Sequence, residues 1–165
     1  MLGIVLIAHN LRSAHNVGSL LRTAEGLGIS KVYLTGYTPY PALSVDSRLP
    51  YLRQKQTKQI HKTALGAEIP LSIDHKDDVI SLLNSLKKAG YQVCALEQAP
   101  TSTALHSFKP QPKLALLVGR EVEGIEPEIL AEVDNILEIP MRGQKESFNV
   151  TEAAAMALYY LTHFT

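Results

Sequence analysis

Three short clusters hold the residues whose types and spacing could do chemistry. The last is the richest. An extended Ile139-Pro-Met141 leads into a flexible Arg142-Gly-Gln-Lys145-Glu stretch, and Ser147-Phe-Asn149 then opens an alanine-rich helix. Asn149 with Glu152 three residues on reads as a capping box, which starts the helix at Val150. Val150, Ala153, Ala154, Ala157, Leu158 and Leu161 recur at helical spacing, with the small residues near the start. Polar side chains and free backbone N–H groups therefore gather beside a surface that a polar ligand can approach closely.

The first cluster is Asn16-Val-Gly18-Ser-Leu-Leu-Arg22. If Asn16 caps a helix, Gly18 and Arg22 lie four apart on one face, with Val17, Leu20, Leu21, Ala24 and Leu27 turned to the core. An early glycine permits close approach, and the arginine fork suits a phosphate. A capped helix with a surface arginine accounts for the same residues. The middle cluster is Gly119-Arg120-Glu121-Val-Glu-Gly124, directly after an apolar run. Ligands of open α/β sheets bind beyond the carboxyl ends of strands, where such a turn falls. An ordinary strand-to-helix turn fits it equally well. It matches neither a P-loop nor a dinucleotide fingerprint.

Elements that could position these clusters alternate along the chain. Strand-like runs fall at 3–8, 31–35, 71–73, 91–96, 114–118 and 136–139. Helical patterns fall at 17–27, 51–65, 76–89, 127–133 and 150–164. The alternation predicts an α/β fold with a mostly parallel sheet and helices on both faces. Residues 36–50, with Pro39, Pro41 and Pro50, form the longest irregular stretch; long loops in compact domains are often functional.

The chain has 165 residues, 45% hydrophobic and 19% charged, which fits one globular domain over 1–165. Lys+Arg and Asp+Glu are equal at 16 each, so bulk charge points to no partner. Its distribution does. Arg48, Arg53, Lys55, Lys58 and Lys62 fall in a stretch with no acidic residue, suited to a docked polyanion or simply to a solvated helix face. Cys94 is the single cysteine, which excludes an internal disulfide or a cysteine zinc site. His9 and His15 have no partner at metal-ligand spacing, so no metal is expected. The opening MLGIVLIAHN reads as a first strand rather than a signal peptide, and no run reaches the ~18 apolar residues of a membrane span. A reducing cytoplasm is the expected setting.

In this order the clusters resemble the SPOUT superfamily, specifically the TrmH/SpoU family of RNA 2′-O-ribose methyltransferases. The matching pieces are Asn16-x-Gly18-x-x-x-Arg22, Gly119-x-Glu121-x-x-Gly124, and Ile139-Pro-Met141 through Ser147-Phe-Asn149-Val150-Thr151; Lys62-Thr-Ala-Leu-Gly66-Ala67 also resembles the stretch after the first motif. Phe148 and Thr151 stand where Leu and Ser are common in the family, and Arg120 interrupts the second motif.

The resemblance implies a SPOUT fold with a C-terminal deep trefoil knot, an exception to the rule that chains do not thread loops. It implies S-adenosylmethionine as cofactor, held by Leu96, Gly119, Ile139, Met141, Ser147 and Val150. It implies a homodimer whose active site forms at the subunit interface, with Met156, Tyr159, Tyr160 and Phe164 suited to that contact. Catalytic-site roles carry over to Arg22, Asn16, Glu121, Ser147 and Asn149. Relatives often have an N-terminal RNA-binding domain. The expectation for this chain is the minimal type without one, with RNA (tRNA before rRNA) held by Arg48, Arg53, Lys55, Lys58, Lys62, Arg142 and Lys145. The rival readings are a base methyltransferase on the same scaffold and a non-catalytic RNA-binding dimer.

Overall fold

The computed structural model describes residues 3–164. In chain order the elements are β1 (Gly3–His9), α1 (Ala14–Gly26), β2 (Lys31–Thr35), α2 (Pro50–Ala64), β3 (Ile73–Lys76), α3 (Val79–Lys88), β4 (Gln92–Leu96), β5 (Thr103–Ala104), β6 (Lys113–Val118), α4 (Pro127–Leu130), β7 (Asn135–Glu138) and α5 (Val150–His163). A single 3₁₀ turn, Leu105–Ser107, follows β5. The strands form one seven-stranded sheet in the order β3-β2-β1-β6-β4-β7-β5, and every ladder is parallel.

The central strands are near-continuous apolar runs because both faces of the sheet are covered. Alternation along β1 shows it. Ile4, Leu6 and Ala8 pack with Val17, Leu20 and Leu21 of α1, Ile60 of α2 and Leu158 of α5. Val5 and Ile7 point the other way, to Val79, Leu82, Leu83 and Leu86 of α3 and Ile129 of α4. Cys94 lies fully buried in β4 against the first of these layers, and burial pushes its thiol pKa up to about 12.

Several boundaries differ from the sequence expectation. Ser13, not Asn16, caps α1: its hydroxyl accepts from the Asn16 N–H at 3.2 Å, so the helix begins one turn earlier. The third strand runs Ile73–Lys76 rather than 71–73, and Asp78 caps α3 by accepting from Ser81 N–H. Asn149 does cap α5, but its side-chain oxygen accepts from the Thr151 N–H at 2.8 Å and the Thr151 hydroxyl at 2.7 Å. The early glycine of α1 also has a different use. A Cβ at Gly18 would fall on the Ile60 carbonyl and the Thr63 hydroxyl, so this glycine lets α1 and α2 touch along their backbones. The Thr63 hydroxyl seals that contact by donating to the His15 carbonyl at 2.8 Å.

Candidate active site

The carboxyl ends of β4, β6 and β7 lie side by side, and a cleft opens beyond them. Leu96 closes β4, Val118-Gly119 closes β6 and Leu137–Ile139 closes β7. The start of α5, with Ser147, Phe148, Val150 and Ala153, forms the opposite wall. The cleft is narrow, about 140 Å³.

The loop after β6 shapes one side. Arg120 and Gly124 form an antiparallel bridge, and Arg120 Nε donates to the Gly124 carbonyl at 3.1 Å. A Cβ at Gly119 would strike Ile125, and one at Gly124 would strike the Glu97 carboxylate. Gly124 has φ +71°, which favours glycine. Glu97 fastens the loop to β4, accepting from the Ile125 N–H at 3.0 Å.

Three carboxylates then tie this loop to the segment between β1 and α1. Glu121 accepts from Asn16 Nδ2 at 3.0 Å and from the Arg12 N–H at 3.5 Å. Arg12 also pairs with Glu123 at 2.8 Å. Deeper in, Glu126 accepts from Asn10 Nδ2 at 3.1 Å and faces Arg120 at 3.6 Å and His9 Nε2 at 3.6 Å. Asn10 is oriented because its carbonyl oxygen accepts from the Tyr37 N–H. Its amide then points at His9 Nε2, 2.9 Å away, and His9 Nδ1 meets the Thr35 hydroxyl at 2.8 Å. That arrangement fits a neutral ring protonated on Nδ1. Burial lowers the His9 pKa, against the pull of Glu126.

Of the six residues expected around a cofactor, Leu96, Gly119, Ile139, Ser147 and Val150 line the cleft, and Met141 does not. Glu121 lines it, and Asn16 reaches it through Glu121. Asn149 sits at its edge with its oxygen committed to the cap. Arg22 is exposed on α1 and is not among the cleft residues of its own chain. Glu97, Arg120 and Phe148 also line the cleft; the position of Glu97, directly after an apolar strand, was the signal that could have found it.

The basic residues divide. Lys55, Lys58, Lys62, Arg142 and Lys145 are exposed and Arg53 is half-buried. Arg48 is not free for a ligand. It donates to the Tyr40 and Pro41 carbonyls, to Gln56 and to Asp46, and its guanidinium lies 3.4 Å from the Tyr40 ring centroid. Asp46 is half-buried, its carboxylate covered by Arg48, and the Arg48 hydrogen bonds hold that carboxyl well below the usual range. Tyr40 stacks in turn on His75, with ring centroids 4.0 Å apart. Among the described residues no group of three or more metal-ligating side chains gathers, and no helix is long and apolar enough to cross a membrane.

A doubly covered parallel sheet with a ligand-sized opening at its strand ends, and three separated polar motifs brought toward that opening, defines an α/β protein of the ligand-binding kind. The sequence matches the model of the SpoU rRNA Methylase family over residues 3–159, and the chain belongs to that family. It is 26% identical over 156 residues to a tRNA (guanosine(18)-2′-O)-methyltransferase of Aquifex aeolicus (strain VF5), covering 94% of this chain and 67% of that protein. An AdoMet-bound rRNA methyltransferase from Sinorhizobium meliloti superposes with a TM-score of 0.81 at 21% identity, over 98% of this chain and 57% of that one. A structure solved for the 2-OH methylation of C/U34 on tRNA superposes with a TM-score of 0.70 at 24% identity, over 94% of this chain and 91% of that one. The chain thus spans about two thirds or less of the curated relatives described here, the second being the same-named enzyme of Borreliella burgdorferi at 65%.

Proposed function

We propose that this chain is an S-adenosylmethionine-dependent RNA methyltransferase acting on a ribose 2′-hydroxyl, with tRNA favoured over rRNA. The observation that carries the reading is the Asn16–Glu121 hydrogen bond, which links residues 105 positions apart at the rim of a cleft that Ser147 also lines. Family membership and the names of the relatives support the reaction and the RNA class.

The cleft residues suit the cofactor. Leu96, Leu137, Ile139 and Val150 offer apolar walls for an adenine, and the side-chain-free backbone at Gly119 and Gly124 allows close approach. At about 140 Å³ the opening is below the ~300–1,000 Å³ of ordinary ligand pockets, so the exposed loop 140–149 must yield outward on binding. When bound, S-adenosylmethionine supplies an electrophilic methyl group.

The chain's own groups position the acceptor. Glu121 is fixed by Asn16 and Arg12, so it presents one orientation to the cleft. The fork of donors on Arg22 grips a substrate phosphate, which orients the ribose. The phosphate held by that guanidinium would share the hydroxyl proton, while S-adenosylmethionine would supply the methyl group and leave as S-adenosylhomocysteine. Arg22 is not among the residues lining its own cleft, so in this reading a second subunit brings it to the reacting oxygen. The exposed apolar residues Met156 and Tyr159 of α5 and Phe164 at its C-cap support such a homodimer. Tyr160 is half-buried, its hydroxyl donating to the His106 carbonyl. The knot belongs to the same proposal.

Labelled cofactor with bulk tRNA and rRNA, followed by mapping of the modified nucleoside, tests the reading. Methyl on a base would give the reaction to the rival base methyltransferase, and no calorimetric binding of S-adenosylmethionine would leave an RNA-binding module. Arg22→Lys keeps the charge and loses the fork; turnover is expected to fall about 10²-fold or more, the scale of lost positioning. Near-normal turnover would remove the geometric role.

A further inference from the structure

The exposed side of α2 carries a stripe that the methyl-transfer site does not use. Tyr51, Gln54, Lys55, Lys58, His61 and Lys62 recur at helical spacing, all exposed. Pro50–Ala64 contains no acidic residue. Beside this stripe lies an open groove of about 750 Å³, lined by Ala42, Pro50, Tyr51, Arg53, Thr57 and Lys58 among others. Tyr51 is 63% exposed, unusual for an aromatic ring on a helix that also buries Ile60 and Ala64.

We propose that this groove is a subsite for an unpaired nucleotide of the RNA, with Tyr51 as its stacking platform and Arg53 and Lys58 on the flanking phosphates. The inference rests on the reading of the chain as an RNA-modifying protein and concerns where the RNA is gripped. Aromatic faces interleaved with cations are the recognition chemistry of single strands. A duplex leaves no base free to stack and is read by shape and backbone instead. A protein partner would call for acidic residues opposite so many unpaired cations, whereas RNA supplies negative charge at every step.

The groove is also preformed. Its far wall is pinned where the Ala42 N–H donates to the Thr57 hydroxyl at 2.9 Å, and that hydroxyl donates to the Arg53 carbonyl at 2.7 Å. The nearby Glu68 does not oppose the charge, because it is spent on His61 Nδ1 at 2.6 Å and the Gly66 N–H at 3.1 Å. Little ordering is therefore lost when a nucleotide enters.

Fluorescence anisotropy with a short labelled oligouridylate, and with a blunt RNA duplex as second probe, tests the proposal on the full chain. Tyr51→Ala is expected to weaken oligouridylate binding roughly 5- to 100-fold, the range for loss of one base stack. Tyr51→Phe keeps the ring and should bind within about 2-fold of wild type, and the duplex should change little with either variant. Lys58→Ala should flatten the salt dependence by roughly one phosphate contact. Thermal melting and S-adenosylmethionine calorimetry confirm that the variants fold. Unchanged oligouridylate affinity in Tyr51→Ala overturns the proposal and leaves the groove to a protein. Equal losses in Tyr51→Phe and Tyr51→Ala, or no oligouridylate binding by the wild type, also overturn it. No readout here requires methyl transfer, so methylation of a base rather than a ribose would defeat the proposed function and leave this subsite standing.

Discussion

The loop between β2 and α2 (residues 36–49) and the loop between β7 and α5 (residues 139–149) each leave the carboxyl end of a strand and lead into a helix, and each contains an arginine. The first consumes its arginine. Arg48 binds two carbonyls, Gln56 and the Asp46 carboxylate that it covers, and stacks on Tyr40. The second leaves Arg142 and Lys145 exposed, and its side-chain hydrogen bonds among the described residues are confined to the Asn149 cap. One loop is thus a fixed wall, beside which the α2 groove stands. The other is poised to yield over the cleft. Length, proline content and an arginine do not separate these roles; what separates them is whether the loop satisfies its own polar groups.

Breaking the fixed wall should have the largest effect. Arg48→Ala strips a covered carboxylate of its main partner, and about 1–3 kcal/mol of stability should be lost in urea unfolding, the upper part of the ordinary range for a point mutant. A loss within ~0.5 kcal/mol would mean that the hub is solvent-screened and that the contrast between the loops is false. In the yielding loop the opposite pattern is expected. Arg142→Ala with Lys145→Ala should leave stability within about 0.5 kcal/mol, as exposed changes do, while the salt dependence of tRNA binding drops by one to two contacts. A drop in melting temperature comparable to that of Arg48→Ala would show that this loop is also structural.

Acid gives the smallest and most selective test. The carboxyl of Asp46 is depressed, so its contribution is present above its ordinary value of 3.8 and fades only as pH falls below it. His9 is depressed from 6.5, so its network is intact above that value and loses stability as pH falls, when the unfolded chain takes up a proton that the folded ring resists. Between pH 7 and 5 wild-type stability should therefore decline, and His9→Asn should flatten that decline even if it lowers stability throughout. A decline equally steep in His9→Asn would assign it to other groups.

The sequence displayed the main elements because their signals are local. The apolar runs of β1, β2 and β6 and the helical spacing of α5 needed nothing distant to be read. What it concealed depends on contacts across the fold. Ser13 and Asn16 are both competent helix caps, and only the reach of Glu121 from 105 residues away draws the Asn16 amide off to another task. Gly18 looked available to a ligand, and the backbone of α2 fills that space. Arg48 read as one cation of a basic run, since Asp46 is only two residues away but the turn that brings the two side chains together is set by the packing around it. The two-residue β5 is too short for any periodicity. Ser147, Glu121 and Gly119 could each be singled out as polar or small groups at turns, but their common cleft follows from the strand order, which no local pattern encodes.

The position of Cys94 has a practical consequence. The chain's one native thiol is shielded from solvent and stays uncharged at neutral pH, which protects it from maleimide or nitroxide reagents. A cysteine engineered at Gln144 would then be the sole labelled position, and a probe there could report directly, in real time, on the swing of residues 140–149 as ligands arrive.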